Sequence, residues 1–359
     1  MNIINLNDKI FNNITDFDII DLRNIEPIGS KGNLIKWVFK PNDGRRNVLH
    51  IKTGKILGGN TLASLKFGIE PLVELLTYHL CELMNLKVAK ERINLALIKY
   101  KKKEFLTIVN ISEDFKGKNK ENMTHLFDFF EFKKVKQILK NNNKLNYKEV
   151  IDMFKNQNVI DINYTDSEIK ILQMIIFDYI ILNTDRHNEN FGYLVEKSKR
   201  KFEFAPIYDN GQSLLYDIEW DKVDWNKVDI SNPILYKSHL KTIEFNNYFY
   251  KNLIEAEKLI YSKITLFGTN KKEIKDYIDY NLDMNLFFNK KEISECIKKS
   301  FNSYNIILNI YNLMLKNSNY KNLCFKINKV DEKWFTFMSF MIYNRTHSIL
   351  NGFEGKYDN

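Results

Sequence analysis

The densest polar cluster of the chain directly follows its most apolar run. The run, ILQMIIFDYIIL, covers residues 171–182, and the cluster, NTDRHNENFG, covers residues 183–192. The run is shorter than a membrane span requires, and its apolar residues recur at helical spacing, so it predicts a buried helix. A rigid helix can hold the loop at its end in a fixed geometry. We therefore expect a functional site just beyond this helix.

Two carboxylates and one carboxamide in this part of the sequence suit metal-dependent chemistry. Asp185 precedes Asn190 by five positions, and Asp209 follows Asp185 by 24 positions, in the segment APIYDNGQS. All three offer hard oxygen ligands of the kind that Mg²⁺ prefers, and one acid can instead serve as a general base. The order matches the catalytic loop and the later metal-binding aspartate of protein kinases. Turn chemistry is the better explanation of a lone Asp-x-x-x-x-Asn pattern, but it does not account for Asp209.

Upstream residues supply the other groups that phosphoryl transfer needs. Lys52 lies in the strand-like segment VLHIK, where its ammonium can hold phosphates, and Glu74 lies on the following helix, where it can orient Lys52. Gly29 and Gly32 allow a backbone to approach phosphate closely. Taken singly, Lys52 is typical of a solvated strand edge, Glu74 of a helix surface and the two glycines of a turn. Their order along the chain instead favours one site in which all of them bind or position phosphate.

Hydrophobic periodicity predicts an α+β fold. Strand-like segments cover residues 34–40, 47–52, 93–100 and 105–111, with a helix predicted over residues 69–86 between the two pairs. This order indicates a sheet with one helix packed on it, and later segments read mainly as helices. We expect a two-lobed, protein-kinase-like arrangement: a small β-rich lobe over residues 1–112 and a helical lobe over residues 113–359, with ATP between them.

Composition narrows the function only slightly. The formal net charge of +9 allows an acidic partner, but the lysines are scattered, which favours a solvated surface over a nucleic-acid interface. The three cysteines are far apart and form no CxxC, so neither a zinc ribbon nor a disulfide framework is indicated. The sequence shows neither a signal peptide nor an apolar run of transmembrane length. We expect a cytoplasmic protein with no membrane partner; export as an effector stays open.

Two motifs give the chain a family resemblance. TDRHNENFG followed by FAPIYDNGQSL resembles the TDxHxxNF and APxYDxxxS segments of the HipA-like serine/threonine kinase family. The upstream segments GSKGN and HIKTG look like the small lobe of the CtkA-type members of that family. The resemblance implies ATP and Mg²⁺ as cofactors. It also implies that Asp185 is the catalytic aspartate and that Asn190 and Asp209 are the metal ligands.

The same resemblance suggests roles for further residues. Lys52 corresponds to the phosphate-binding lysine, and the backbone from Glu113 to Phe115 falls where the family's interlobe hinge passes adenine. His187 either donates to the transferred phosphate or only structures its loop, and these alternatives stay open. Ser30 is the candidate for autophosphorylation in the glycine loop.

The resemblance implies a protein kinase that acts on serine or threonine. Two alternatives remain: a lipid or small-molecule kinase on the same fold, and a pseudokinase or basic binding module without catalysis. Some family members are toxins, so an antitoxin or another regulatory partner on a separate chain is also an expectation.

Overall fold

In the part of the chain that the structure describes, a mixed sheet and four helices form the framework. The fold is taken from a computed structural model, which describes residues 2–4, 6, 13–28, 34–40, 48–57, 65–116, 122–125, 164–183, 185–186, 190–196, 201–217, 220, 223, 225, 284–317, 320, 323–327 and 329–350. Within these residues the strands are β1 Asn2–Ile4, β2 Asp18–Asp21, β3 Lys36–Phe39, β4 Leu49–Thr53, β5 Ile56–Leu57, β6 Lys66–Phe67, β7 Glu91–Tyr100, β8 Lys103–Glu113, β9 Asn122–His125, β10 Gly192–Glu196, β11 Lys201–Phe204 and β12 Cys324–Phe325. The helices are α1 Glu70–Leu83, α2 Tyr164–Ile180, α3 Lys290–Lys316 and α4 Glu332–Leu350. The predicted α+β class is confirmed.

Among the described residues, the main sheet has seven strands. Six of them follow the order β1-β2-β7-β8-β4-β3, and the seventh, β12, also pairs with β8. Strands β7 and β8 form an antiparallel hairpin, and β4 and β3 continue the antiparallel pairing. Lys101 and Lys102 make the hairpin turn with φ values of 47° and 64°, the left-handed conformations of a two-residue type I′ turn. Both side chains are exposed.

Both faces of the sheet are covered by a hydrophobic core. Successive residues of a strand point to opposite sides of the sheet, so a single strand contributes to both cores. Ile93, Leu95 and Leu97 of β7 pack into a core shared with the four helices. Ala96 and Ile98 of the same strand pack into a second core with residues of the N-terminal segment. The position of a residue along β7 therefore decides which core it joins.

Helix α1 crosses the first core with most of its surface buried. Pro71 lies in its first turn, where a missing backbone N–H costs no hydrogen bond, and Asn85 ends it with a φ of 57°. His79 Nδ1 lies 2.8 Å from Ser300 Oγ on α3. Helix α1 thus lies between the sheet and α3.

Segments from the C-terminal third contribute to both cores. β12 joins the sheet through β8, and Ser303 of α3 donates to Asp16 Oδ2 at 3.0 Å. Arg345 of α4 donates to the backbone oxygen of Tyr179 at 2.6 Å, next to the end of α2. Although these segments follow residue 113 in sequence, β12 and α3 pack on the predicted small lobe. The domain division at residue 112 stays a prediction.

The second, smaller sheet carries the segments that flank the polar cluster. β10 pairs antiparallel with both β9 and β11. The cluster lies between α2 and β10, and the segment of Asp209 follows β11. The β10–β11 hairpin therefore brings the two loops close together.

The two leucines Leu76 and Leu313 provide a test of this packing. Leu76 on α1 is fully buried, whereas Leu313 on α3 is 64% exposed. We expect Leu76→Ala to lower the free energy of unfolding by about 2–5 kcal/mol, because it leaves a cavity between helix and sheet. Leu313→Ala should change it by less than about 0.5 kcal/mol. Urea unfolding followed by circular dichroism measures both; equal losses would contradict the packing described.

Candidate active site

The first loop of the site is fixed to the end of α2 by an asparagine. Leu182 has a φ of 54°, which turns the chain out of the helix. Asn183 then donates through Nδ2 to Asp178 Oδ1 at 2.9 Å, and its own Oδ1 accepts from the backbone N–H of Asp185 at 2.9 Å. Asn183 is fully buried. The position of Asp185 is therefore set by the last turn of the helix.

Arg186 joins this loop to the second one. Its guanidinium is paired with Asp178 of α2 at 2.9 Å, and both side chains are almost completely buried. Nη1 donates to the backbone oxygens of Asn190 at 2.9 Å and Tyr208 at 2.8 Å, and Nη2 donates to Asn210 Oδ1 at 2.6 Å. One cation thus connects the end of α2, the loop of Asp185 and Asn190, and the residues on each side of Asp209.

The second loop approaches helix α1 closely. Asp209 has a φ of 56°, and the next backbone N–H, that of Asn210, donates to Glu74 Oε2 at 3.0 Å. A Cβ atom at Gly211 would lie 3.1 Å from Glu74 Oε1, which is tighter than ordinary packing. Glycine therefore suits this position because the loop runs directly against the Glu74 carboxylate.

Lys52 lies where the sheet, α1 and the Asp209 loop meet. Its Nζ is 2.7 Å from Asp209 Oδ1 and 3.8 Å from Glu74 Oε1. Burial alone would lower the pKa of Lys52, but the charges of Asp209 and Glu74 raise it above its ordinary value. Burial raises the pKa of Glu74, and Lys52 opposes that effect. The pairing predicted between Lys52 and Glu74 is present, and Asp209 is the nearer partner of Lys52.

Asp209 and Asn190 have the character expected of ligands for a hard cation. The Lys52 ammonium lowers the pKa of Asp209 to about 2, so that this carboxylate is ionised at neutral pH. Asn190 donates through Nδ2 to the backbone oxygen of Asp185 at 3.0 Å, which leaves its side-chain oxygen for ligation. Among the described residues no three His, Cys, Asp or Glu side chains group into a metal site.

A third carboxyl group lies behind Lys52 and was not predicted from the sequence. Glu91 at the start of β7 is buried and accepts from Asn110 Nδ2 at 2.8 Å. Burial and the nearby Glu74 raise its pKa well above the ordinary value, although Lys52 opposes the shift. Asn110 is directly opposite Lys52 in the β4–β8 pairing, so Glu91 borders the Lys52 site. The sequence around Glu91 does not indicate that this glutamate is buried beside Lys52.

The predicted hinge lies at the end of β8. Glu113 is the last residue of that strand, and its backbone N–H donates to Lys90 O at 3.2 Å. The Phe115 ring contacts the Tyr208 ring, with 5.3 Å between their centres. Because Tyr208 precedes Asp209, the predicted hinge is close to the loop that carries Asp209. The predicted contacts of Gly29, Ser30, Gly32 and His187 lie outside the described residues.

Sequence reasoning also missed Arg186 and Gln212. Gln212 donates through Nε2 to Asp185 Oδ2 at 2.6 Å. A signal for Arg186 was present, because Asp178 is the lone acid in the apolar run ILQMIIFDYIIL and needs a partner once the run is buried. Gln212 carries no comparable signal, since polar residues are ordinary in a loop.

The arrangement can be compared with known proteins. A model of the HipA-like C-terminal domain matches residues 30–258, more than half of the chain. The chain belongs to this family. The matched range contains both loops of the site, as well as Lys52 and Glu74. The predicted HipA-like family is confirmed.

Three comparisons show low sequence identity. The serine/threonine-protein kinase CtkA of Helicobacter pylori is 29% identical in an alignment of 104 residues, which covers 26% of this chain and 30% of that protein. The match thus spans less than a third of the length of this curated relative. A crystal structure of a proinflammatory kinase CtkA from Helicobacter pylori gives a TM-score of 0.43 at 16% identity, covering 93% of this chain and 96% of that one. HipA of Shewanella oneidensis, solved with HipB and operator DNA, gives 0.39 at 12% identity, covering 91% and 66%.

No helix in the described part of the chain combines the length and the apolar character needed to cross a bilayer.

The buried ion pair of Arg186 and Asp178 is expected to dominate stability at the site. Removing one partner of a buried ion pair leaves an uncompensated charge, so Arg186→Met should lower the free energy of unfolding by about 3–5 kcal/mol. Arg23 pairs with Asp21 at 2.7 Å with both side chains partly exposed. Arg23→Met should therefore cost less than about 1 kcal/mol. Chemical denaturation measures the free energy of unfolding of both variants. A small loss of stability for Arg186→Met would contradict the role assigned to the Arg186–Asp178 ion pair.

Glu70 should make stability depend on pH. It begins α1, is 5% exposed, and its Oε2 has no hydrogen-bond partner in the described structure. Burial raises the pKa of Glu70 from 4.5 to about 7. The folded state therefore holds the proton more tightly, and this stabilisation is present below pH 4.5 and lost as the pH rises through 7.

Substitution by glutamine isolates this effect. We expect Glu70→Gln to gain stability relative to wild type on going from pH 4.5 to pH 8.5, on the order of 2–3 kcal/mol. Urea unfolding at the two pH values measures the difference. Glu295→Gln on α3, at a side chain 64% exposed, is the matched control and should show little change. A pH-independent difference for Glu70→Gln would rule out a buried, protonated Glu70.

Proposed function

We propose that the chain is an ATP-dependent phosphotransferase that moves the γ-phosphoryl group of Mg-ATP to a hydroxyl group, with serine or threonine of a protein as the acceptor. The observation that carries the proposal is the convergence of Lys52, Glu74 and Asp209 at one point, with Asp185 and Asn190 on the loop that Arg186 ties to Asp209. Membership of the HipA-like family and the kinase activity named for CtkA of Helicobacter pylori support the same class of activity.

The residues divide into groups with different tasks. Lys52 would bind phosphate oxygens; its ammonium has three N–H donors, so it can do so while Glu74 orients it. The backbone from Glu113 to Phe115 would contact the adenine. Gly29, Ser30 and Gly32 would cover the phosphates, and His187 would act on the same loop as Asp185; these four assignments rest on the sequence alone.

Asp209 and Asn190 would hold Mg²⁺ against the nucleotide. Both provide oxygen ligands, and Asp209 is already ionised at neutral pH. When bound, the ion would neutralise charge on the β- and γ-phosphates.

Asp185 would act on the acceptor. Its carboxylate would orient the hydroxyl and take its proton while the acceptor oxygen forms a bond to the γ-phosphorus. The bond between that phosphorus and the β–γ bridging oxygen breaks, and ADP leaves. Because Asn183 and Arg186 fix the loop before any substrate binds, the carboxylate needs little reorganisation.

Two aspartate variants test the proposal. With [γ-³²P]ATP and Mg²⁺, we expect Asp185→Asn and Asp209→Asn each to lower phosphoryl transfer by at least about a hundredfold, because each loses a carboxylate that acts on the reaction. Asp166→Asn on the exposed first turn of α2 serves as the control and should retain activity. Wild-type turnover in either variant would contradict the role assigned to that aspartate.

The acceptor class is tested in the same assay. Label in protein would support serine or threonine transfer, whereas label in lipid vesicles or in small hydroxylated molecules would assign one of those acceptors instead. A wild-type chain that turns over no ATP but binds nucleic acid in a salt-dependent way would be a binding module.

A further inference from the structure

A hydrogen-bonded pair of side chains lies against Asp185 and belongs to the segment that follows the metal-binding loop. Gln212 donates through Nε2 to Asp185 Oδ2 at 2.6 Å, and the hydroxyl of Tyr216 donates to Gln212 Oε1 at 2.7 Å. Neither residue was singled out by the sequence. The pair links the proposed base to the chain three to seven positions beyond Asp209.

The chemistry of the groups fixes the direction of both hydrogen bonds. An ionised carboxylate only accepts, so Gln212 must turn its NH₂ group toward Asp185. Its carbonyl oxygen then faces Tyr216, whose hydroxyl can donate. A hydrogen bond to a charged group is stronger than one between neutral groups, and the tyrosine polarises the amide further. Tyr216 thus donates to Gln212, and Gln212 donates to Asp185.

The backbone that carries Gln212 and Tyr216 is tied to the end of α2. Leu214 and Leu215 are buried and have φ values of 52° and 58°. The backbone N–H of Leu214 donates to Ile181 O at 2.8 Å, at the end of α2. Lys55 Nζ lies 5.9 Å from the centre of the Tyr216 ring. Gln212 therefore extends from a segment that is tied to the helix preceding Asp185.

We infer that Gln212, fixed by Tyr216, is a positioning residue that sets the rotation of the Asp185 carboxylate. Binding one carboxylate oxygen determines the direction of the other, which would take the proton from the acceptor hydroxyl. A carboxylate that rotates about its terminal bond spends only part of its time in the productive orientation, so the fixed rotation raises turnover. The inference rests on the proposed function, because it presumes that Asp185 acts on an acceptor.

Two variants test the inference through the separation of kcat from KM. Gln212→Leu removes the donor at similar volume, and we expect kcat to fall roughly tenfold to a hundredfold, the range for losing a hydrogen bond to a charged group. The KM for ATP should stay within about twofold, since neither Gln212 nor Tyr216 belongs to the proposed nucleotide site. Tyr216→Phe removes one oxygen atom and should lower kcat by a smaller factor, roughly threefold to tenfold.

The measurement uses the full chain with Mg²⁺, [γ-³²P]ATP and dephosphorylated casein, and follows both casein labelling and autophosphorylation. Tyr100→Phe, at the end of β7 beside the lysine hairpin turn, is the matched control and should keep both kcat and KM. Urea unfolding of each variant separates a positioning role from general destabilisation.

A folded Gln212→Leu chain with wild-type kcat would overturn the inference and leave the proposed function intact. A rise in kcat would also overturn it, because Gln212 would then be blocking Asp185. No turnover in wild type would overturn the inference together with the function.

Discussion

The Arg186 guanidinium is the interaction on which the site depends. It is buried, paired with Asp178, and donates to the backbone of both loops that carry the candidate ligands. A buried ion pair contributes little net stability compared with a well-packed apolar pair, but it tolerates only one geometry, because a misplaced charge has neither water nor partner. Here that geometry is the relative position of Asp185 and Asp209. The apolar helix α2 supplies the buried environment in which this restriction holds.

The second constraint is an excess of acid around Lys52. The Lys52 ammonium pairs directly with Asp209 and Glu74. Glu91 lies close enough to raise the electrostatic cost of ionising all three carboxyl groups at once. The nearest carboxylate, Asp209, remains ionised, while burial raises the pKa values of Glu74 and Glu91. A divalent cation at Asp209 would offset the excess, and negatively charged phosphates would share Lys52. Under the proposed function, the charges of the site would suit Mg²⁺ and nucleotide together better than either alone.

Much of the framework could be predicted from local patterns. Alternating and helical periodicities identified β3, β4, α1, β7 and β8, because each element shows its buried face within a few residues. The positions of Lys52 and Glu74 followed, since a lysine in β4 and a glutamate in α1 are brought together once those elements are recognised. The fixed spacing of Asp185, Asn190 and Asp209 marked the two loops.

What could not be predicted depends on contacts distant in sequence. β12 has two residues and no periodicity of its own, so its pairing with β8 appears only in three dimensions. The packing of α3 on α1 requires knowledge of where a helix more than 200 residues later returns. Gln212 and Glu91 are polar residues at ordinary positions, and their roles arise from what the fold places beside them.

A crystal structure of the chain with Mg²⁺ and a non-hydrolysable ATP analogue would test the central claim most directly. The account predicts the ion on Asp209 and Asn190, a phosphate oxygen on Lys52 Nζ, and Arg186 unchanged between the two loops. A nucleotide bound elsewhere, or an ion that leaves both Asp209 and Asn190 uncoordinated, would contradict it.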